Sequence, residues 1–144
     1  KSTSWFSFDF SVSFLLFLTV PDFNYGKMNS LDDMKWRYRV LVLNQVDTIN
    51  YKKKEHGYNF DLEDRDLLVI YLMEGKALLG QKRLSSNFSK SLKRKVKDYG
   101  GKAILIGKDG SIKHVYSLDV DYSKIFYDID QMPMRRFQLK KRSQ

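Results

Sequence analysis

Two uninterrupted aliphatic and β-branched runs dominate the hydrophobic pattern of the chain, Arg39-Val-Leu-Val-Leu-Asn-Gln-Val46 and Leu67-Leu-Val-Ile-Tyr-Leu-Met73. A strand covered on one face alternates apolar and polar residues, whereas one covered on both faces is apolar throughout, so these runs predict central parallel strands. Residues 47–66 leave room between them for a crossover with a short helix, made irregular by Lys52-Lys53-Lys54 and Gly57. Beyond the second run the period changes from two to 3.6. Phe88, Leu92, Val96 and Tyr99 form one stripe, Ser85, Ser86 or Asn87 is placed to cap its start, and Gly100-Gly101 supplies the stop, which predicts a helix over 86–99. Lys102-Ala-Ile-Leu-Ile106 and Ser111-Ile-Lys-His-Val-Tyr-Ser117 then flank Lys108-Asp109-Gly110, a hairpin signal. Asp121 caps a last predicted helix over 121–132, in which Ile125, Phe126, Ile129 and Met132 share a face, and Pro133 is expected to end it or turn the chain just beyond it.

The predicted order is β-α-β-α-β-β-α, with strands at 39–46, 67–73, 102–107 and 111–117. Joining the first two strands by a crossover and adding the hairpin gives an α/β, thioredoxin-like core, a four-stranded mixed sheet flanked by helices. A chain of 144 residues has room for one such core. The expected layout is an N-terminal apolar flank at 1–30, a domain at 31–134 and a basic C-terminal tail at 135–144. Within the flank, residues 10–20 have the length of a signal-peptide h-region and are too short to span a bilayer. Asp9 and the lack of a small-residue cleavage site near Val20-Pro21 oppose that reading. The run is therefore an export signal or its remnant, an element packed on the domain, or non-native flank.

Charge changes the picture more than composition does. Of the formal net charge of +9, residues 66–101 hold +5 (eight basic, three acidic) and residues 132–144 another +5 (five basic, none acidic). On the helical wheel Lys90, Lys93, Arg94 and Lys97 fall opposite the apolar stripe, and Arg135, Arg136, Lys140, Lys141 and Arg142 make up the second cluster. These nine are the candidate polyanion-binding residues. Solvated charge is the competing reading for the helix face, a mobile basic tail for residues 140–142. For Arg135 and Arg136 the competing reading is an ion pair of one of them with Asp130, or a cap on a helix C-terminus.

No cysteine is present, which excludes disulfides, thiolate catalysis, thiolate-bound zinc and iron–sulfur clusters. His56 and His114 are too few for a histidine-rich metal site. Ser111, His114 and Asp109 crowd into one hairpin, which disfavours triad geometry, and Glu63, Asp64 and Asp66 read as a strand entry, with Arg65 among them as an ion-pair partner. No catalytic residue, metal or cofactor is assigned.

Trp36-Arg37-Tyr38-Arg39-Val40-Leu41-Val42, Glu63-Asp64-Arg65-Asp66-Leu67, Gly107-Lys108-Asp109-Gly110-Ser111-Ile112-Lys113 and Ile129-Asp130-Gln131-Met132-Pro133-Met134-Arg135-Arg136 point further. Together they resemble the cysteine-poor thioredoxin- or peroxiredoxin-like domain of unknown function found in exported bacterial proteins. A similar domain occurs in the animal sushi-repeat-containing proteins and in a matrix-associated coiled-coil-domain protein. The resemblance spans about residues 31–142. It brings no settled enzymatic activity, and it implies export, to a secreted, periplasmic or extracellular location, with adhesion and matrix contact in the animal relatives.

The leading expectation is therefore a non-catalytic binding or adhesion module of an exported protein that contacts acidic polysaccharide or acidic protein surfaces. A thiol-independent peroxiredoxin-like enzyme or an oxidoreductase accessory subunit is the alternative, favoured by a deep pocket converging on residues 44–48. Nucleic-acid binding ranks lower, because no stacking platform accompanies the charge. Since no residue can form a mixed disulfide, insulin-disulfide reduction and peroxide consumption should stay at the no-protein background. Turnover by a preparation free of contaminating enzymes is the contrary result.

Overall fold

Strand β1 (Arg39–Asn44) is buried along its whole length, as an apolar run covered on both faces must be. The computed structural model describes residues 28–45 and 55–144. The apolar run at 10–20 and the middle of the crossover lie outside them. β1 pairs in parallel with β2 (Leu67–Met73), from Arg39 opposite Leu67 to Asn44 opposite Leu72. On its other side it pairs antiparallel with β5 (Lys102–Ile106), which pairs with β6 (Ile112–Ser117) around the predicted Asp-Gly turn.

The sheet has six strands rather than the four expected, in the order β4-β3-β2-β1-β5-β6. The additional pair, β3 (Lys76–Leu79) and β4 (Lys82–Arg83), extends the edge beside β2. The turn into β3 consists of Glu74 and Gly75, both with positive φ (49° and 76°), as a type I′ hairpin requires. Glutamate is an unusual first residue there, and strands of four and two residues are too short to show a period.

Alternation along the strands divides the core. Val40, Val42, Ile70, Leu72, Ile104 and Ile106 meet Phe88, Leu92 and Val96 of helix α2 (Ser86–Val96) on one face. Leu41, Leu43, Val69, Tyr71, Ala103 and Leu105 meet Ile125, Phe126 and Ile129 of helix α3 (Tyr122–Asp130) on the other. Of the three candidate caps, the Ser85 hydroxyl accepts from the Phe88 amide, and Asp121 accepts from the Ser123 and Lys124 amides. Helix α1 (Asn59–Asp64) precedes β2 and is preceded by a 3-10 turn, His56–Tyr58. The chain turns through Gln131 and Met132, but Pro133 then opens a helix, α4 (Pro133–Arg142), across the residues expected to be a tail. Proline suits the first helical position, where its missing N–H would have no intrahelical acceptor.

Phe88 is wholly buried at the centre of the α2 layer, whereas Phe60 on α1 is exposed. Phe88→Ala should cost about 3–5 kcal/mol in urea denaturation, and Phe60→Ala no more than about 0.5 kcal/mol.

Candidate functional site

Because the stripe Phe88, Leu92 and Val96 turns inward, the other side of α2 is left to solvent, and Lys90, Lys93, Arg94 and Lys97 are all exposed there. Residues 82–97 contain seven basic side chains and no acidic one. The Ser89 hydroxyl accepts from the Ala77 amide at 3.0 Å and fastens α2 over β3. Lys93 consequently rests on the β2–β3 turn, with its ammonium 2.9 Å from where a Cβ on Gly75 would sit. Arg83 on β4 is exposed at the adjoining sheet edge. The basic residues of the last turn, Lys93, Arg94 and Lys95, also complement the negative end of the α2 dipole.

The second cluster is distributed differently. Arg135 is 1% exposed and takes no part in a surface. Its Nε donates to Asp130 at 3.1 Å, its Nη1 to the Asp64 carbonyl at 2.6 Å, and its Nη2 to the Asp64 carboxylate. Thus one member of the arginine pair does bind Asp130. Arg142 donates to the other Asp64 oxygen at 2.5 Å. Arg136, Lys140 and Lys141 are exposed, Arg136 donating to Gln131. α2 therefore presents four candidates together, while α4 turns Arg135 and Arg142 toward the domain and keeps three outside.

Around Arg135 lies a network that the sequence only partly announced. Arg65 makes a two-pronged contact with Asp130, 3.1 Å from Nε and 2.8 Å from Nη2, and its Nη1 reaches Asp61. The Arg65 guanidinium also sits 4.6 Å from the Phe126 ring centroid. Arg39, 1% exposed at the start of β1, donates to the Arg65 carbonyl. Asp66, held at φ 48°, accepts from Lys108 at 2.7 Å and from Gln138 of α4 at 3.2 Å. Burial works against ionisation of Asp130 and Asp64, yet the arginine hydrogen bonds outweigh it and hold both carboxyls below the usual carboxylate range. Burial, followed by repulsion from Arg135, lowers the Arg39 pKa.

A family model for a domain of unknown function, DUF4174, matches residues 30–138, a span that includes α2 and the first half of α4. The chain belongs to that family. No curated protein and no solved structure matches it.

The family assignment is silent on chemistry, and the remaining candidates show little. Ser111 does not face His114 as a nucleophile would face its base. Its hydroxyl donates to Asp109 at 2.8 Å, while the His114 ring stacks on Tyr116. Lys113, with the Ser111 amide and hydroxyl, draws the Asp109 carboxyl down to about 2, as in a tied hairpin turn. Asn44 is buried, and its amide donates to the carbonyls of Val96 and Tyr99. Residues 46–48, part of the stretch where a deep pocket would favour the enzyme alternative, lie outside the described residues. Among the described residues no group of three or more His, Asp or Glu side chains is placed to hold a metal ion, and no helix is long and apolar enough to cross a membrane.

Removing Arg135 leaves Asp64 and Asp130 short of a partner in a half-buried site, so Arg135→Ala should destabilise the domain by about 3–5 kcal/mol, against about 0.5 kcal/mol or less for Arg136→Ala. The depressed carboxyls also fix a pH dependence. Their folded pKa values lie below the unfolded value of about 3.9, so their stabilisation is complete above that pH and is lost as pH falls through the folded values. Melting temperature should thus fall steeply below about pH 4, and less steeply in Asp130→Asn; equal slopes in the two proteins would refute the role of this pair.

Proposed function

We propose that the domain is a non-catalytic, thioredoxin-like binding or adhesion module of an exported protein, which contacts acidic polymers or acidic protein surfaces through the outer face of α2. The strand order β2-β1-β5-β6, with β1 and β2 parallel and β5 and β6 antiparallel to their neighbours, supports the thioredoxin-like part, β3 and β4 being an addition at one edge. Export rests on the resemblance of the sequence motifs.

The observation that carries the binding reading is the clustered basic face of α2. Lys90, Lys93, Arg94 and Lys97 are exposed together on the side of α2 opposite its apolar stripe, and residues 82–97 carry no acidic side chain, Glu74 of the β2–β3 turn and Asp98 being the acidic residues next to them. Such a face attracts polyanions and releases their counterions on contact. Among the described residues nothing favours the enzyme alternative: Asn44 is engaged by the Val96 and Tyr99 carbonyls, and no cysteine is available.

Heparin chromatography and salt titration test this reading. Affinity should fall steeply with salt, by analogy with the logarithmic slope of about −0.9 per phosphate neutralised on duplex DNA. Lys90→Glu, Lys93→Glu and Lys97→Glu combined should shift elution to lower salt without lowering the melting temperature, because the apolar stripe that holds α2 is intact. Elution of the wild type near ~0.15 M salt, unchanged in that variant and in Arg136→Gln, Lys140→Gln, Lys141→Gln, would reduce these residues to ordinary solvated charge.

A further inference from the structure

Helix α4 is built inside out. Its buried residue is Arg135, and Gln138 and Arg142 on the same side are tied to Asp66 and Asp64, so the helix is fastened by polar groups. On a 3.6-residue wheel Phe137 then lies on the outward side, flanked by Met134 and Lys141 in one direction and by Arg136 and Lys140 in the other. Phe137 is 62% exposed and Met134 44% exposed. The Lys141 ammonium sits 5.2 Å from the Phe137 ring centroid, and residues 131–144 contain no acidic side chain.

A second large aromatic residue stands at this end of the sheet. Trp36 is 66% exposed, and its amide donates to the Lys108 carbonyl. Lys108 in turn pairs with Asp66, the carboxylate that accepts from Gln138 of α4. The Trp36 turn and α4 therefore flank one ion pair.

We propose that this end of the molecule seats on an anionic lipid bilayer, with Phe137 and Trp36 entering the boundary between headgroups and acyl chains and Arg136, Lys140 and Lys141 meeting lipid phosphates. The surface is separate from the outer face of α2, and the proposal stands independently of polymer binding there. Charge complementarity points to an anionic occupant, and the two lysines among its three cations favour lipid over protein. Lysine is depleted at protein interfaces. At a bilayer surface its stem lies along apolar atoms while the ammonium stays in water, and interfacial helices combine lysine and arginine with aromatic residues that enter the headgroup boundary. Each basic residue near such a surface contributes attraction that no neutral bilayer supplies.

Co-sedimentation of the full chain with vesicles of phosphatidylcholine alone, and of equimolar phosphatidylcholine and phosphatidylglycerol, tests this. The mixed vesicles should bind the chain and the neutral ones should not. Phe137→Ser should weaken binding to mixed vesicles about tenfold, while its melting temperature and heparin elution match the wild type. Lys140→Gln with Lys141→Gln should also weaken vesicle binding. Residues 1–27 are common to wild type and variants, so any contribution from the apolar run is shared. Equal sedimentation with both vesicles, or wild-type binding by Phe137→Ser, overturns the proposal. Retention on immobilised polyglutamate that is lost in Phe137→Ser, without vesicle binding, assigns the face to an acidic polypeptide and likewise overturns it.

Discussion

The bonds of Arg65 and Arg135 to Asp130 join three parts of this fold through one carboxylate. Asp130 is the last residue of α3, Arg65 precedes β2, and Arg135 belongs to α4. One carboxylate thus holds three elements at the end of the sheet where both parallel strands begin. Asp64, bound by Arg135 and Arg142, doubles the connection to α4. Burying such groups costs several kcal/mol per ion, so the network adds less net stability than a packed apolar cluster of equal volume. Its weight is conditional: once the surrounding core has excluded water, each charge depends on the others, and withdrawing one leaves its partners uncompensated.

Beyond the edge of the apolar core, marked by Leu67 and Phe126, this end of the domain is closed by polar groups. Arg39 occupies the first position of β1, where an aliphatic side chain would continue the core, and its guanidinium spans to the Arg65 carbonyl. Asp66 and Lys108 extend the pairing to the β5–β6 turn, and the Arg39 amide donates to the Asp66 carbonyl at 2.8 Å. Strand entry, hairpin turn, the last residue of α3 and the docking of α4 are therefore set by directional bonds. Guanidinium groups suit this task, since a planar fork fixes angle as well as distance.

What could be read in the sequence follows from the same division. β1, β2, β5, α2 and α3 bury apolar side chains, and burial writes a pattern of runs and stripes that sequence displays, while β6, with no buried residue, was marked by its Asp-Gly turn. β3 and β4 are too short to write one, and their turn uses Glu74 at positive φ, where asparagine or aspartate would have signalled it. α4 was illegible as a helix because its inward face is Arg135, Gln138 and Arg142, which reads as polar tail. The pairing of Arg135 with Asp130 was accessible from their closeness across Pro133, whereas Arg39 gave no sign, since an arginine heading an aliphatic run is ordinarily solvated. The exposure of Lys90, Lys93, Arg94 and Lys97 was legible for the converse reason: the stripe opposite them is apolar.

The two basic helices are thus opposite solutions to one problem. α2 is secured by Phe88, Leu92 and Val96, and what it has left for the exterior is charge. α4 is secured by Arg135, Gln138 and Arg142, and what it has left includes an aromatic ring among cations. A helix docked by dispersion and apolar burial tolerates salt, because neither depends on ionic strength to first order. A helix docked by ion pairs escapes screening only where those pairs are shielded from solvent. Arg135 meets that condition and the half-exposed Arg142 does not, so the attachment of α4 should rest on its first turn and a half, with the last turn held more weakly as ionic strength rises.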